Sequence, residues 1–177
     1  MRNILREADQ TALLVTHDQE EALSLADRVG VMFDGRLHQM ADPHTLYRSP
    51  ATPEVAAFIG NADIIMGTRA GQFFVDTALG RLATSAPVRA EHVATVIRPE
   101  SVRLRPSPSG SAEVHRLTYF GRDQLVGVRL ADGTEVHARR GPELDLQRGD
   151  RVEVSVDGPA VTFPSSDPST ALPPATD

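Results

Sequence analysis

The spacing of apolar and polar residues changes character at about residue 60. Before that point, apolar residues recur at helical spacing up to Val29 behind Asp18 and Glu21, a capping-box pair, and predict a short amphipathic helix. The apolar run ALLV (residues 12–15) ahead of this helix predicts a strand buried on both faces. After residue 60, short segments with strand composition are separated by Asp-Gly and Gly-Asp turns, and they predict a small antiparallel barrel or sandwich.

Turn and cap signals divide the first 60 residues further. The segment VGVMFDGRLHQM predicts two short strands joined at Asp34 and Gly35. A capping residue stands directly before a proline at Asp42 and again at Thr52, which predicts two short helices, the second closed by Gly60. We therefore expect one domain over residues 1–60, a β-domain over 61–164 and a disordered Pro/Ser/Thr-rich tail over 165–177, with a loop or junction at 105–113.

Composition excludes several classes of protein. The chain has 177 residues of which 40% are hydrophobic, enough for a packed core, and its net charge is −6. All 18 basic residues are arginine, and they form no cluster of the kind that binds nucleic acid. The absence of cysteine excludes disulfides and thiol chemistry. No apolar run approaches the roughly 20 residues of a membrane span, and the N-terminus does not read as a signal peptide, so work at a membrane would need a partner.

His17 is the candidate functional residue. It stands where the predicted buried strand ends and the helix begins, and ligands of α/β sheets gather at the carboxyl ends of strands. A histidine there can donate a hydrogen bond to a phosphate oxygen and titrates near neutral pH. Taken by position alone, a surface histidine without a role is the favoured interpretation. Glu20 and Glu21 read as solvated acids that suit the first helical turn.

The remaining candidates read as structural. His38 and His44 are expected to be exposed and without a role, and the other three histidines occur singly, without metal-ligand spacing: His92, His115 and His137. The turn Arg98-Pro99-Glu100 could bind an anion, but we expect it to satisfy local backbone groups. Four aromatic residues are expected in the core or in dimer contacts rather than as a base-stacking platform: Phe73, Phe74, Tyr119 and Phe120.

A longer string carries a family resemblance. LLVTHDQEEALSLADRVGVMFDGRLHQMADPHTLYRSPATPEVAAFIG resembles the C-terminal part of importer-type ATP-binding cassette (ABC) transporter ATPases, from the H-loop VTHD onward. VIRPESVRL, YFGRDQLVGVRLADGTEVHARR and GDRVEVSV look like the transport-associated OB-like (TOBE) regulatory domain of such chains. The resemblance implies an α+β chain: a remnant of the P-loop NTPase α/β subdomain, followed by a small OB-like antiparallel β-barrel.

By that resemblance, His17 would contact the γ-phosphate of ATP and help to position the attacking water. A positioned donor stabilises the charge that phosphoryl transfer spreads over the equatorial oxygens. The full-length protein would use ATP and Mg²⁺. Its partners would be a membrane permease, a second ATPase subunit in a homodimer and a possible small-molecule regulator, but no nucleic acid. It would lie in the cytoplasm, peripheral on the inner face of the membrane.

The P-loop motif GxxxxGK[ST] cannot be present, because the chain contains no lysine. The LSGGQ-type signature is also missing, so the sequence reads as a C-terminal fragment that should bind no cofactor and hydrolyse no ATP by itself. The comparatively short β-region favours an iron(III) or polyamine importer. The alternative is a non-enzymatic OB-like module that binds a small ligand or oxyanion and regulates a partner. A hydrolase built on His17 and Asp18 lacks a nucleophile motif.

Overall fold

The computed structural model describes residues 11–166. The chain divides into two units, residues 1–60 and 61–177. The described part of the first unit contains three short helices and one hairpin: α1 (Gln19–Leu25), β1 (Val29–Phe33), β2 (Arg36–Ala41), α2 (Pro43–Arg48) and α3 (Pro53–Phe58). No helix among residues 11–166 is long and apolar enough to cross a membrane.

Side-chain caps begin all three helices where the sequence predicts them. The carboxylates of Asp18 and Asp42 and the hydroxyl of Thr52 each accept a hydrogen bond from the backbone N–H three residues on. Proline occupies the first turn of α2 and of α3, where its missing N–H costs nothing. Helix α3 ends at Phe58 with Ile59 as its C-cap, and the next residue, Gly60, has a φ of 81° in the left-handed region that favours glycine.

The β1 and β2 strands form the predicted hairpin. Phe33 pairs with Arg36, and the two turn residues Asp34 and Gly35 both have positive φ, 52° and 69°, as a type I′ turn requires. The inner side of β1 packs with the helices around a small apolar core: Val29, Val31, Leu46, Val55 and Ile59. This core is the main source of stability for the first unit.

The predicted buried strand at residues 12–15 is wrong for this chain. Residues 11–16 adopt no regular structure, and the side chains of Leu13 and Val15 are 93% and 89% exposed. A strand buried on both faces needs neighbouring strands and covering helices, and the described residues supply neither beside this segment. The segment is apolar, as a buried strand would be, but residues 11–166 form no sheet that includes it.

The second unit contains ten strands within residues 61–166. They form two five-stranded antiparallel sheets, ordered β10-β9-β8-β11-β7 and β12-β6-β3-β4-β5. The strands are β3 (Asp63–Arg69), β4 (Phe74–Thr77), β5 (Gly80–Ala83), β6 (His92–Ile97), β7 (Val102–Pro106), β8 (Ala112–Tyr119), β9 (Gln124–Arg129), β10 (Glu135–Arg140), β11 (Arg151–Val156) and β12 (Val161–Pro164).

In each sheet, the two edge strands approach each other. Strand β10 lies beside β7, and the N–H of Arg139 donates to the carbonyl of Pro99 just before β7, at 2.8 Å. In the second sheet, Thr84 after β5 forms a bridge with Ala160 before β12. The first sheet is therefore a partly closed five-stranded barrel, which confirms the predicted OB-like β-fold.

One apolar core serves both sheets. Alternate residues of β7, β8, β9 and β10 point inward together with residues of β3, β4 and β6, so that the two sheets share a single cluster. Gly110, between β7 and β8, lies so close to the backbone of Val152 that a Cβ there would overlap with it. The predicted loop at 105–113 is shorter in the structure, because its two ends belong to β7 and β8.

Two further expectations concern the surface and the tail. The expected core position of the four aromatic residues is wrong: Phe73, Phe74, Tyr119 and Phe120 are all exposed, Tyr119 by 67%. They lie at or next to strand ends, where the inward face of the sheet stops. Of the predicted tail (residues 165–177), only residues 165 and 166 lie within the described part of the chain. The N–H of Ser165 donates to the carbonyl of His92.

Candidate functional site

His17 lies in a short turn that is fixed by its neighbours on both sides. The backbone N–H of Asp18 donates to the hydroxyl of Thr16, and Oδ1 of Asp18 accepts from the N–H of Glu21, both at 3.0 Å. The predicted capping box is therefore half formed, because Thr16 takes the N–H that Glu21 would have bonded. The imidazole of His17 is exposed. An exposed ring on a fixed backbone can donate a hydrogen bond to a phosphate oxygen.

Gln19, the first residue of α1, links this turn to a distant part of the same unit. Its Oε1 accepts a hydrogen bond from the N–H of Gly60 at 3.1 Å, across 41 residues of sequence. Gly60 and the next residue, Asn61, both have positive φ, 81° and 51°. The bond therefore ties the His17 turn to the last residue before the β-unit.

A nucleotide needs more than His17 provides. The carboxylate of Asp18 already accepts a helix N–H, which favours a structural role for it over hydrolytic chemistry. The chain has no lysine to reach the β- and γ-phosphates. His17 fits as one donor to a phosphate, and the rest of a phosphate cradle would have to come from other residues than these.

A second group of ionisable residues lies in the β-unit, between its two sheets. Asp63, at the start of β3, is 6% exposed, and its carboxylate accepts twice from His137 on β10. The backbone N–H of His137 lies 2.6 Å from Oδ2, and the ring Nδ1 lies 2.8 Å from Oδ1. The hydrogen bond to the carboxylate of Asp63 raises the pKa of His137. This pair satisfies a buried carboxylate and joins the two sheets.

His115 lies beside that pair at a β-bulge in β8, where the register shifts between Val114 and Arg116. Gly127 pairs with His137, and a Cβ on it would come within 3.0 Å of Nε2 of His115. The missing side chain of Gly127 thus makes room for the His115 ring. Burial lowers the pKa of His115, although Oε2 of Glu135 lies 3.7 Å from Nε2.

The other sequence-predicted residues lie apart from these groups. His38 and His44 are exposed, and the His38 ring contacts Phe33 with ring centroids 3.7 Å apart. The turn at residues 98–100 has the expected local use: the carbonyl of Arg98 accepts from the N–H and hydroxyl of Ser101. Within residues 11–166, no group of three or more histidine, aspartate or glutamate side chains could hold a metal ion.

Two polar residues were missed by sequence reasoning. Asp63 stands in the apolar run ADIIMG, and a lone charge in such a run signals a buried partner. Its partner is 74 residues away, so the sequence alone cannot identify it. Gln19 gives no sequence signal, because glutamine is ordinary in a first helical turn.

Comparison with known proteins identifies one domain family and a set of similar proteins. The TOBE domain family matches residues 95–163. The "Fe(3+) ions import ATP-binding protein FbpC 1" of Rhodococcus jostii (strain RHA1) is 39% identical over 169 residues, 92% of this chain and 49% of that protein. The "Spermidine/putrescine import ATP-binding protein PotA" of Rubrobacter xylanophilus is 36% identical over 172 residues, 89% of this chain and 46% of that protein.

The chain spans about half the length of the curated relatives it matches. Among solved structures, a molybdate-bound form of the cytoplasmic molybdate-binding protein ModG has a TM-score of 0.47 and 16% identity. The aligned region covers 58% of this chain and 95% of the ModG chain. A resemblance of this size carries no functional argument.

Proposed function

Because the chain carries a TOBE domain and is a relative of importer ATP-binding subunits over nine-tenths of its length, we propose that it is the C-terminal regulatory portion of an ABC importer ATPase. In the complete subunit it would couple ATP hydrolysis to solute uptake. Its first unit would contribute His17, and its β-unit would regulate the activity of the complete subunit. The observation that carries this proposal is the match that runs through both units to proteins named for ATP-binding import.

His17 would act on the γ-phosphate in that setting. ATP with Mg²⁺ supplies the phosphoryl group and the charge neutralisation on its oxygens. His17 would donate to a γ-phosphate oxygen and keep the attacking water in line. The helix cap at Asp18 and the bond of Gln19 to Gly60 would hold the backbone on which the imidazole is mounted. Water exclusion would come from the other parts of the subunit.

The same premise suggests the solute and the partners. Relatives are named for the import of Fe(3+) ions and of spermidine and putrescine, so we propose iron(III) or a polyamine as the solute. A membrane permease and a second ATPase subunit would be the protein partners, and the protein would lie on the cytoplasmic face of the membrane. The β-unit would receive any small-molecule regulator.

Replacement of His17 tests the proposal in the complete ATPase. We expect His17→Ala to lower ATP turnover by about 10²–10³ while nucleotide binding stays largely intact, since one transition-state donor is lost and the P-loop is not. Steady-state turnover and nucleotide titration measure the two effects. His44→Ala, an exposed histidine on α2, is the matched control and should retain full turnover. Normal turnover in His17→Ala would remove this residue from the mechanism.

A further inference from the structure

We propose that Gln19 is a positioning residue: its hydrogen bond to Gly60 holds the His17 turn in register with the segment that leads into the β-unit. The inference rests on the proposed function, because it concerns how His17 is held for phosphoryl transfer.

The geometry supports a bond with a specific purpose. Oε1 of Gln19 lies 3.1 Å from the N of Gly60, and the bond is partly buried. Gly60 follows the cap of α3, whose own last amide, that of Ile59, already bonds to Val55. The N–H of Gly60 is thus free of the helix, and it receives a partner from the start of α1 instead.

Helix α1 depends on this bond more than a longer helix would. It has seven residues, and none of them is fully buried. Only Ala22 and Leu23 of its residues pack, partly buried, against the core of the first unit. With so little apolar burial, polar contacts at the first turn decide where α1 begins, and His17 directly precedes that turn.

The segment between Gly60 and β3 is short. Gly60 and Asn61 are consecutive residues with positive φ, a conformation that glycine adopts freely and asparagine adopts more readily than most other residues. Two residues later, β3 begins at Asp63, whose carboxylate is fixed by His137. The chain between the Gln19 bond and the fixed start of β3 is therefore only Asn61 and Ala62.

Gln39 provides a matched control in the same unit. Its amide donates to the carbonyl of Ser49 at 3.0 Å and accepts from the N–H of Ala51 at 2.7 Å. It therefore joins β2 to the loop between α2 and α3, and makes two backbone contacts where Gln19 makes one. Loss of Gln39 reports on the stability of the unit without touching the His17 turn.

The first experiment uses the 177-residue chain and follows amide hydrogen exchange by NMR. In Gln19→Ala, we expect the protection of the Gly60 amide to fall by about tenfold, the scale of one lost hydrogen bond. Gln19→Glu keeps an acceptor oxygen at the same reach and should retain protection. Gln39→Ala should leave Gly60 unchanged. An unchanged Gly60 amide in Gln19→Ala would overturn the inference.

The second experiment uses the complete ATPase. We expect Gln19→Ala to lower kcat by about tenfold to a hundredfold, since a small misplacement of a catalytic group is costly, with little change in KM for ATP. Gln19→Glu should restore turnover to near the unsubstituted level. Gln39→Ala should keep its kcat at a temperature where it is folded.

His17→Ala separates the failure of this inference from that of the proposed function. If His17→Ala and Gln19→Ala both turn over normally, the proposed function fails and this inference with it. If only His17→Ala is impaired, the proposed function stands and Gln19 has no positioning role. An equal loss of kcat in Gln19→Ala, Gln19→Glu and Gln39→Ala would indicate general destabilisation, and it would also overturn the inference.

Discussion

At the residue scale, the buried carboxylate of Asp63 makes stability depend on pH through His137. The hydrogen bond that His137 donates to Asp63 raises the pKa of His137 above its ordinary value of 6.5. A group with a raised folded-state pKa stabilises the fold fully below its unfolded pKa, and this contribution is lost as pH rises through the folded pKa. We therefore expect the stability difference between the natural chain and His137→Gln to be largest near pH 6 and to shrink toward pH 9. Denaturant unfolding at a series of pH values measures it.

Two other charged groups act on His137, and burial acts on the His115 ring beside it. Glu135 favours the protonated form of His137 and Arg116 opposes it, while burial lowers the pKa of His115. Because His115 works in the opposite direction, the comparison with His137→Gln isolates the pair better than the slope of the natural chain. His92→Gln on β6 is the control and should keep the pH dependence. A constant difference from pH 6 to pH 9 would contradict the prediction.

What the sequence could predict at this scale depended on distance along the chain. His17 became a candidate because its motif is contiguous. Asp42 and Thr52 were identified as caps because a cap bonds three residues on. The partner of Asp63 was beyond reach, because the two residues meet only when two sheets pack. A contact of that kind is set by the whole fold, and no local pattern encodes it.

At the element scale, the turn between β7 and β8 is held by the close approach of Gly110 to β11. A Cβ at this position would overlap with the backbone of Val152, so part of β11 would have to move. We expect Gly110→Ala to destabilise the β-unit by about 1–3 kcal/mol, the usual cost of overpacking. Thermal unfolding measures the change, and Ser111→Ala, at an exposed neighbour, should be close to neutral. Equal midpoints for the two variants would show that the turn can adjust.

Elements with local signals were the ones that the sequence predicted well. The β1–β2 hairpin follows from the turn at Asp34 and Gly35, and α2 and α3 follow from their prolines. The strand at residues 12–15 was wrong, since its apolar residues describe a sheet that these residues do not build. The order of the ten strands could not be predicted either. Strand β11 pairs with β7 and β8 rather than with β10 or β12, its neighbours in sequence.

At the scale of the whole molecule, we expect a protein of this sequence to be inactive as an ATPase. Its chain offers His17 but no lysine for the phosphates. A magnesium-dependent phosphate-release assay should give turnover no higher than a mock preparation. Turnover that disappears in His17→Ala would mean that the 177 residues form a complete hydrolytic site. It would contradict the proposal that the rest of the phosphate site comes from other parts of the complete subunit.

Self-association is expected to use apolar side chains of the β-unit. Because β10 lies beside β7, and Thr84 meets Ala160, the edges of both sheets are largely covered. The exposed aromatic residues remain, and two-fold pairing is the commonest way for identical chains to cover them. Sedimentation should show a concentration-dependent dimer that Tyr119→Ser weakens. A monomer at about 100 µM, two orders above a micromolar Kd, would contradict this.

The position of β12 has a consequence for how the protein is made. Strand β6 is paired on one side with β3 and on the other with β12, the last strand in the described chain. During synthesis, strand β6 would therefore lack one of its two neighbours until residues 161–164 have left the ribosome. The first unit, with its local hairpin and short helices, can fold long before then. Until then, the unpaired edge of β6 is open to contacts with other chains.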